Sequence, residues 1–208
     1  MTDLDDLPIA GTVVLLRPGS PTLGDAAAVE VLLMRRPGRG SFADAWVFPG
    51  GKVEESDRRP GDEEVDLARR AGIRETWEEV GLVVDDAVTL SRWQPPVEAP
   101  VRIRTWFFLA TAPTGDLRLS AGEVVDAQWI SPAGALSRHA AGEWTLFPPT
   151  WMTLHKLSTA GSVDDALATA GVVRRFSTRV LPGAAGTVFA WGDLRLDTGA
   201  LPWNLNAG

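Results

Sequence analysis

Between Arg74 and Leu82 the chain reads RETWEEVGL, and no other stretch limits its possible folds as much. The spacing predicts a helix from about Asp62 to Val80, stopped by Gly81. Ile73, Trp77 and Val80 recur at i, i+4 and i+7, an apolar stripe expected to face the core. Glu75, Glu78 and Glu79 fall at i, i+3 and i+4, so their carboxylates share a face. At about 100° per residue from Ile73 they sit near 200°, 140° and 240°, opposite a stripe at about 0–40°. Like charges so spaced destabilise a helix by roughly 0.2–0.5 kcal/mol per pair. Such a face is either simply solvated, which is common, or offset by positive charge. A hard divalent cation would offset it, since Mg²⁺ and Mn²⁺ prefer oxygen ligands. Arg74 could brace a carboxylate through paired hydrogen bonds. Upstream, Phe48-Pro49-Gly50-Gly51-Lys52-Val53 breaks a strand and could offer a bare carbonyl to the same ion.

Around this helix the chain reads as one layered α/β domain over residues 1–208, with a core over about 8–158 and an extension over about 159–208. Gly11–Arg17 and Val29–Arg36 are apolar, β-branched runs joined by a loop, PGSPTLGDAAA. Val83–Trp93, Val101–Ala110 and Val124–Ile130 read as further strands, and Phe147–Leu157 as a helix begun after Pro148-Pro149. From about Gly171 the pattern is short strands and turns. No run approaches the roughly 20 apolar residues of a membrane helix, so no membrane partner is expected. The acidic start, MTDLDD, is unlike an export signal. The chain has no cysteine, which excludes disulfides, zinc–thiolate sites and thiol catalysis and is compatible with a cytoplasmic setting. A net charge of −7 argues against a long nucleic acid as partner, because phosphates need a basic surface. Nine tryptophans without one tyrosine are scattered along the chain and read mainly as core anchors.

Together, the glycine turn and the acidic helix resemble the Nudix hydrolase signature, G-x5-E-x7-R-E-U-x-E-E-x-G-U, where U is a bulky aliphatic residue. Gly51 matches the opening glycine, and Arg74, Glu75, Glu78, Glu79, Gly81 and Leu82 match the second half. The preceding W-x-F-P-G-G strengthens the likeness. The pattern sets 14 positions between glycine and arginine, whereas 74 − 51 gives 23, so nine extra residues interrupt it. The first acid is consequently open: Asp57 counting forward from Gly51, Asp66 counting back from Arg74, or Glu64. Thr76 stands where an aliphatic residue is usual.

The resemblance implies a Nudix fold, a mixed β-sheet between helices, with the C-terminal segment as an added helix and hairpin that covers the substrate or builds a homodimer. It implies cleavage of a nucleoside diphosphate linked to another group, with Mg²⁺ or Mn²⁺ as cofactor. By analogy Glu75, Glu78 and Glu79, with the Gly51 carbonyl, are the candidate metal ligands, and Arg74 orients the glutamates. Glu123, in the loop before a strand, is the candidate for a further catalytic acid from outside the signature.

A wider likeness covers R-R-P…F-A-D-A-W-V-F-P-G-G, R-x-R-T-W-F-F-L-A, Phe147-Pro148-Pro149-Thr150-Trp151 and Gly192-Asp193. It is similar to the branch of acyl-coenzyme A diphosphatases, which makes coenzyme A or acyl-coenzyme A the leading substrate candidate. Arg104 departs from that branch, which more often carries an aspartate there. Arg36, Arg102 and Arg104 are the candidates for substrate phosphates, and Trp46 or Trp106 for stacking on a base. ADP-ribose, a dinucleotide or a nucleoside triphosphate are the competing substrates, and a nucleotide-sensing module without catalysis is the competing class.

Overall fold

A computed structural model describes residues 7–20, 28–40 and 42–207. The acidic start, most of the PGSPTLGDAAA loop and Ser41 lie outside the described residues. The central sheet grows from β1 (Ile9–Pro18), whose Val13, Val14, Leu15 and Leu16 are all fully buried. Four buried residues in a row mean a strand covered on both faces. Alternation then divides them: Val14 and Leu16 join one hydrophobic core, Val13 and Leu15 the other.

β2 (Val29–Arg35) pairs antiparallel with β1 and carries β3 (Trp46–Val47) and β7 (Asp126–Ile130). On the other side of β1, β6 (Arg104–Thr111) runs parallel and is followed by antiparallel β5 (Val88–Gln94). The short β4 (Gly50–Lys52) also pairs with β1, with Gly51 opposite Gly11. Helix α1 (Glu64–Val80) covers one face of this mixed sheet. The other face packs against α2 (Pro132–Ala140), α3 (Pro148–Leu157) and α4 (Val163–Ala168). The fold is therefore α/β, a mixed sheet between helices. No helix of the described residues is long and apolar enough to cross a membrane.

Two sequence readings need correction. Trp77 does not face the core: it is 58% exposed. The buried positions of α1 are Ala68, Ala71, Gly72, Thr76, Glu79 and Val80, a face of small residues that also carries an acid. The cause is close backbone approach. A Cβ at Gly11 would stand 1.7 Å from the Ala68 carbonyl oxygen, and one at Gly72 would stand 3.1 Å from the Gly11 carbonyl carbon. Bulky side chains cannot fit between helix and strand there, so of the expected apolar stripe Val80 stays buried, Ile73 packs at the core's edge and Trp77 turns outward. The second correction concerns the C-terminal segment, which exceeds a helix and a hairpin. After α4, β8 (Arg174–Ser177) adds a parallel strand to β5, and β9 (Arg179–Pro182), β10 (Thr187–Trp191), β11 (Leu194–Asp197) and β12 (Asn204–Ala207) form an antiparallel sheet. Phe176 stacks on Trp93 at 4.0 Å and Trp191 meets Trp93 edge-on at 5.5 Å, so these strands share the main core.

Helix α2 was not evident from periodicity, although its start is written in Ser131-Pro132. The Ser131 hydroxyl accepts from the Gly134 N–H, and proline suits the first turn. Within α2, His139 is buried, its Nδ1 lies 2.9 Å from the Trp144 carbonyl, and Trp203 meets it edge-on. A carbonyl can only accept, so Nδ1 carries the proton in this contact. Burial lowers the pKa of His139 below its ordinary value, and the Trp144 hydrogen bond opposes this only in part. A depressed folded pKa contributes stability that is present above the unfolded value of about 6.5 and is lost as pH falls through the folded one. Unfolding free energy should therefore fall on acidification below about pH 6.5, and His139→Gln should show a shallower fall in urea titrations run from pH 7.5 to 5.

Candidate active site

The site is built where α1 crosses β4. Gly50 and Gly51 lie in β4, opposite Thr12 and Gly11 of β1. The Gly50 N–H donates to Glu79 Oε2 at 2.9 Å, and Arg36 Nη1 donates to Glu79 Oε1 at 2.6 Å. Glu79 is thus 2% exposed yet satisfied at both oxygens. Gly51 lies against Glu75: a Cβ built there would stand 2.3 Å from the Glu75 carboxylate carbon. Glu75 is half-buried and Glu78 is exposed, so the three acids run from the interior to the rim.

Arg74 holds this arrangement together. Its Nε and Nη2 donate to Asp57 Oδ1 at 3.1 Å and Oδ2 at 3.0 Å, a bidentate pair. Nη2 also donates to the Lys52 carbonyl at 3.1 Å. Nη1 donates to Glu75 Oε1 at 3.1 Å and to Glu78 Oε2 at 2.9 Å. One guanidinium therefore fixes Glu75 and Glu78 against the turn after β4, and the Asp57 hydrogen bond is the largest reason its pKa is raised.

Of the three acids weighed for the open first position, Asp57 meets Arg74. It is 3% exposed, ends a short 3-10 turn (Glu55–Asp57), and also accepts from the Glu54 N–H at 2.9 Å. The extra residues follow it, as an exposed loop and the opening turns of α1. Glu64 serves elsewhere: it accepts from Trp106 Nε1 at 2.6 Å and pairs with Arg104 at 2.8 Å and Arg92 at 3.2 Å. Asp66 pairs with Arg69 at the surface.

The candidate substrate contacts are dispersed. Trp46 is buried and stacked on Trp144 at 3.8 Å, so both of its faces are spent in the core. Arg104 is 4% exposed and engaged with Glu64. Arg36 is tied to Glu79. Arg102 is half-buried, with Nε and Nη2 lacking a hydrogen-bond partner. Of these four, Arg36 is the one in contact with a glutamate of the acidic helix face. Glu123 is exposed, accepts from the Ser120 hydroxyl at 3.0 Å, and lines a cavity with Glu78. The roles of Gly50 and Arg36 as donors to Glu79 carried no signal in the sequence, because they depend on strand register rather than spacing.

Burial raises the pKa of Glu75, against the pull of Arg74. Burial pushes Glu79 up to about 8, against the hydrogen bond from Gly50 and the charge of Arg36. The charge of Glu123 adds to both rises, which sets it within electrostatic reach. Among the described residues no three His, Asp or Glu side chains converge as a ready-made metal cage. The donor chemistry nevertheless fits a hard cation: carboxylate oxygens crowded by mutual repulsion and partial burial, with only guanidinium and amide N–H groups offsetting them. Glu75, Glu78 and Glu79 are the residues that would hold it.

Removing the buried partner of a guanidinium should cost stability, and a surface pair should not. Asp57→Asn is expected to lower unfolding free energy by about 2–3 kcal/mol in urea denaturation, and Asp66→Asn by no more than about 0.5 kcal/mol. Equal effects would remove Asp57 from its bracing role.

A model of the NUDIX domain matches residues 12–154 of the chain. A Caenorhabditis elegans relative, nudix hydrolase 7, is 28% identical over 176 residues, covering 65% of this chain and 58% of the relative. The chain thus spans less than two thirds of that relative's length. A NUDIX hydrolase from Alicyclobacillus acidocaldarius superposes with a TM-score of 0.69 at 24% identity, over 79% of this chain and 96% of that one. The NUDIX domain of Shewanella oneidensis NrtR, solved with ADP ribose, gives 0.52 at 18% identity, over 72% and 85%. At these identities the two structures speak for the fold alone.

Proposed function

The chain belongs to the NUDIX domain family, and from that premise we propose that it hydrolyses the diphosphate bridge of a nucleoside diphosphate linked to another group. The observation that carries this reading is the set of Glu75, Glu78 and Glu79 on one helix, the first two gripped by Arg74, the third held by Arg36 and the Gly50 N–H, with Gly51 against Glu75. A diphosphate bridge is anionic and repels hydroxide. Mg²⁺ or Mn²⁺, when bound, neutralises that charge and makes a coordinated water more acidic. The residues supply position and charge. Glu75 and Glu78, oriented by Arg74, and Glu79, fixed from the Gly50 side, provide the oxygen donors. Glu123 stands at the rim, where it can accept a proton from water. Hydrolysis breaks one P–O bond of the bridge and yields two phosphomonoesters.

For the substrate, coenzyme A or an acyl-coenzyme A is the leading reading. It rests on the sequence likeness over R-R-P…F-A-D-A-W-V-F-P-G-G and R-x-R-T-W-F-F-L-A. The burial of Trp46 and Arg104 removes two of the contacts first considered for it, leaving Arg36 and Arg102. A panel of coenzyme A, ADP-ribose, a dinucleoside polyphosphate and nucleoside triphosphates, each with Mg²⁺ or Mn²⁺, tests the reading by product analysis. Release of 3′,5′-ADP from coenzyme A supports it. AMP from ADP-ribose with no product from coenzyme A would move the substrate to another class. Glu78→Gln should lower turnover of the best substrate by about 100-fold or more while leaving the melting temperature in place, since Glu78 is exposed. Unchanged turnover would take Glu78 out of the site.

A further inference from the structure

Eight of the nine tryptophans meet another ring or a cation: Trp46 with Trp144, Trp93 with Trp191, Trp151 with Trp203, and Trp106 and Trp129 under Arg92 and Arg17. Among the described residues Trp77 alone has no such contact, and it is 58% exposed. A single exposed aromatic residue needs no explanation by itself. Its setting supplies one. Trp77 lines an open cavity of about 470 Å³ with Glu78, Gly81, Arg118, Ser120 and Glu123. That volume lies within the range of small-molecule sites. Two of those residues, Glu78 and Glu123, are also the outermost acids of the diphosphate site, so the cavity continues that site along the C-terminal end of α1.

The far wall is fixed to the helix. The Arg118 N–H donates to the Val80 carbonyl and the Ser120 N–H to the Glu79 carbonyl, both at 2.9 Å. Gly81 closes α1 in the left-handed conformation, and a Cβ on it would stand 2.8 Å from the Arg118 Cβ. Arg118 is therefore held directly beside the helix end, where backbone carbonyls favour a cation. Ser120 in turn donates its hydroxyl proton to Glu123. The cavity thus offers an exposed indole, an exposed arginine whose backbone is tied to the helix end, and acids that a divalent cation would neutralise.

We propose that Trp77 and Arg118 form the subsite for the nucleoside end of the substrate: its planar base stacks on Trp77 while Arg118 pairs with a phosphate oxygen. This rests on the diphosphatase reading above and adds where the base goes. A group bonded to a diphosphate held at Glu78 must leave in some direction, and Trp77 lines the same cavity as Glu78. Stacking on indole is tolerant of base identity, so the subsite selects for a planar ring rather than for one base. Trp77 is then a specificity residue, not one that touches the reacting atoms.

The test compares AMP with ribose 5-phosphate, which has the same phosphate and sugar without the base, by calorimetry on the full chain with Mg²⁺. The unsubstituted protein should bind AMP about tenfold more tightly than ribose 5-phosphate. Trp77→Ala should bring the two to equal affinity, Trp77→Phe should restore most of the preference, and Arg118→Ala should weaken both ligands alike. A preference for AMP that survives Trp77→Ala overturns the proposal, as does failure of the unsubstituted protein to bind AMP. If AMP binds through Trp77 but no diphosphate is hydrolysed, the catalytic reading fails and the subsite stands.

Discussion

Everything in this structure depends on how closely α1 approaches β1 and β4. The contact is made by missing atoms. Gly11 faces the Ala68 carbonyl and Gly72, Gly50 faces the Gly11 carbonyl, and Gly51 faces the Glu75 carboxylate, in each case with no room for a methyl group. Between these backbones there is space for alanine and threonine but not for the aliphatic side chains that usually join a helix to a sheet. The helix is thereby seated on its small-residue face. That same rotation carries Glu79 inward to the Gly50 N–H and turns Trp77 out to solvent.

Charge is then arranged around this seat. Three glutamates on one helix face repel one another, and Glu123 adds to the repulsion. Arg74 and Arg36 answer it from opposite sides, the first anchored on buried Asp57, the second on Glu79 itself. Two arginines in contact with four carboxylates, Asp57, Glu75, Glu78 and Glu79, leave an excess of acidic groups, which is the condition a divalent ion relieves. Glu75 and Glu79 carry raised pKa values chiefly because burial penalises their charged forms more than the neighbouring donors repay, with the nearby acids adding to the rise. An ion bound there would stabilise what the fold alone holds under tension.

Most of the architecture was legible because it follows from local periodicity. The apolar, β-branched runs of β1 and β2 read as strands, and Gly81 marks the stop of α1. The acidic face could be read from i, i+3 and i+4 spacing. What could not be read depends on register and on backbone distance. Ile73, Trp77 and Val80 make a convincing apolar stripe, and Val80 and Ile73 do meet the core, yet Trp77 does not, because the Gly11–Gly72 approach centres the buried face on small residues. Counting along the chain left Asp57, Glu64 and Asp66 equivalent. Only the bend of the loop after β4 brings Asp57 to Arg74 and sends Glu64 to Arg104. Trp46 shows the opposite case: an aromatic beside the glycine turn looks available for a ligand until the stack on Trp144 is seen.

We propose an ion site made by geometry and not by the number of acids. Electron paramagnetic resonance titration of Mn²⁺ into Gly51→Ala isolates that variable, because the substitution removes no carboxylate. The added methyl group would displace the flexible end of Glu75 rather than any backbone. The account predicts Mn²⁺ affinity at least about tenfold weaker than in the unsubstituted protein, at unchanged helix content by circular dichroism. Equal affinity in the two proteins would contradict it, and would mean that the acidic face gathers ions by charge alone.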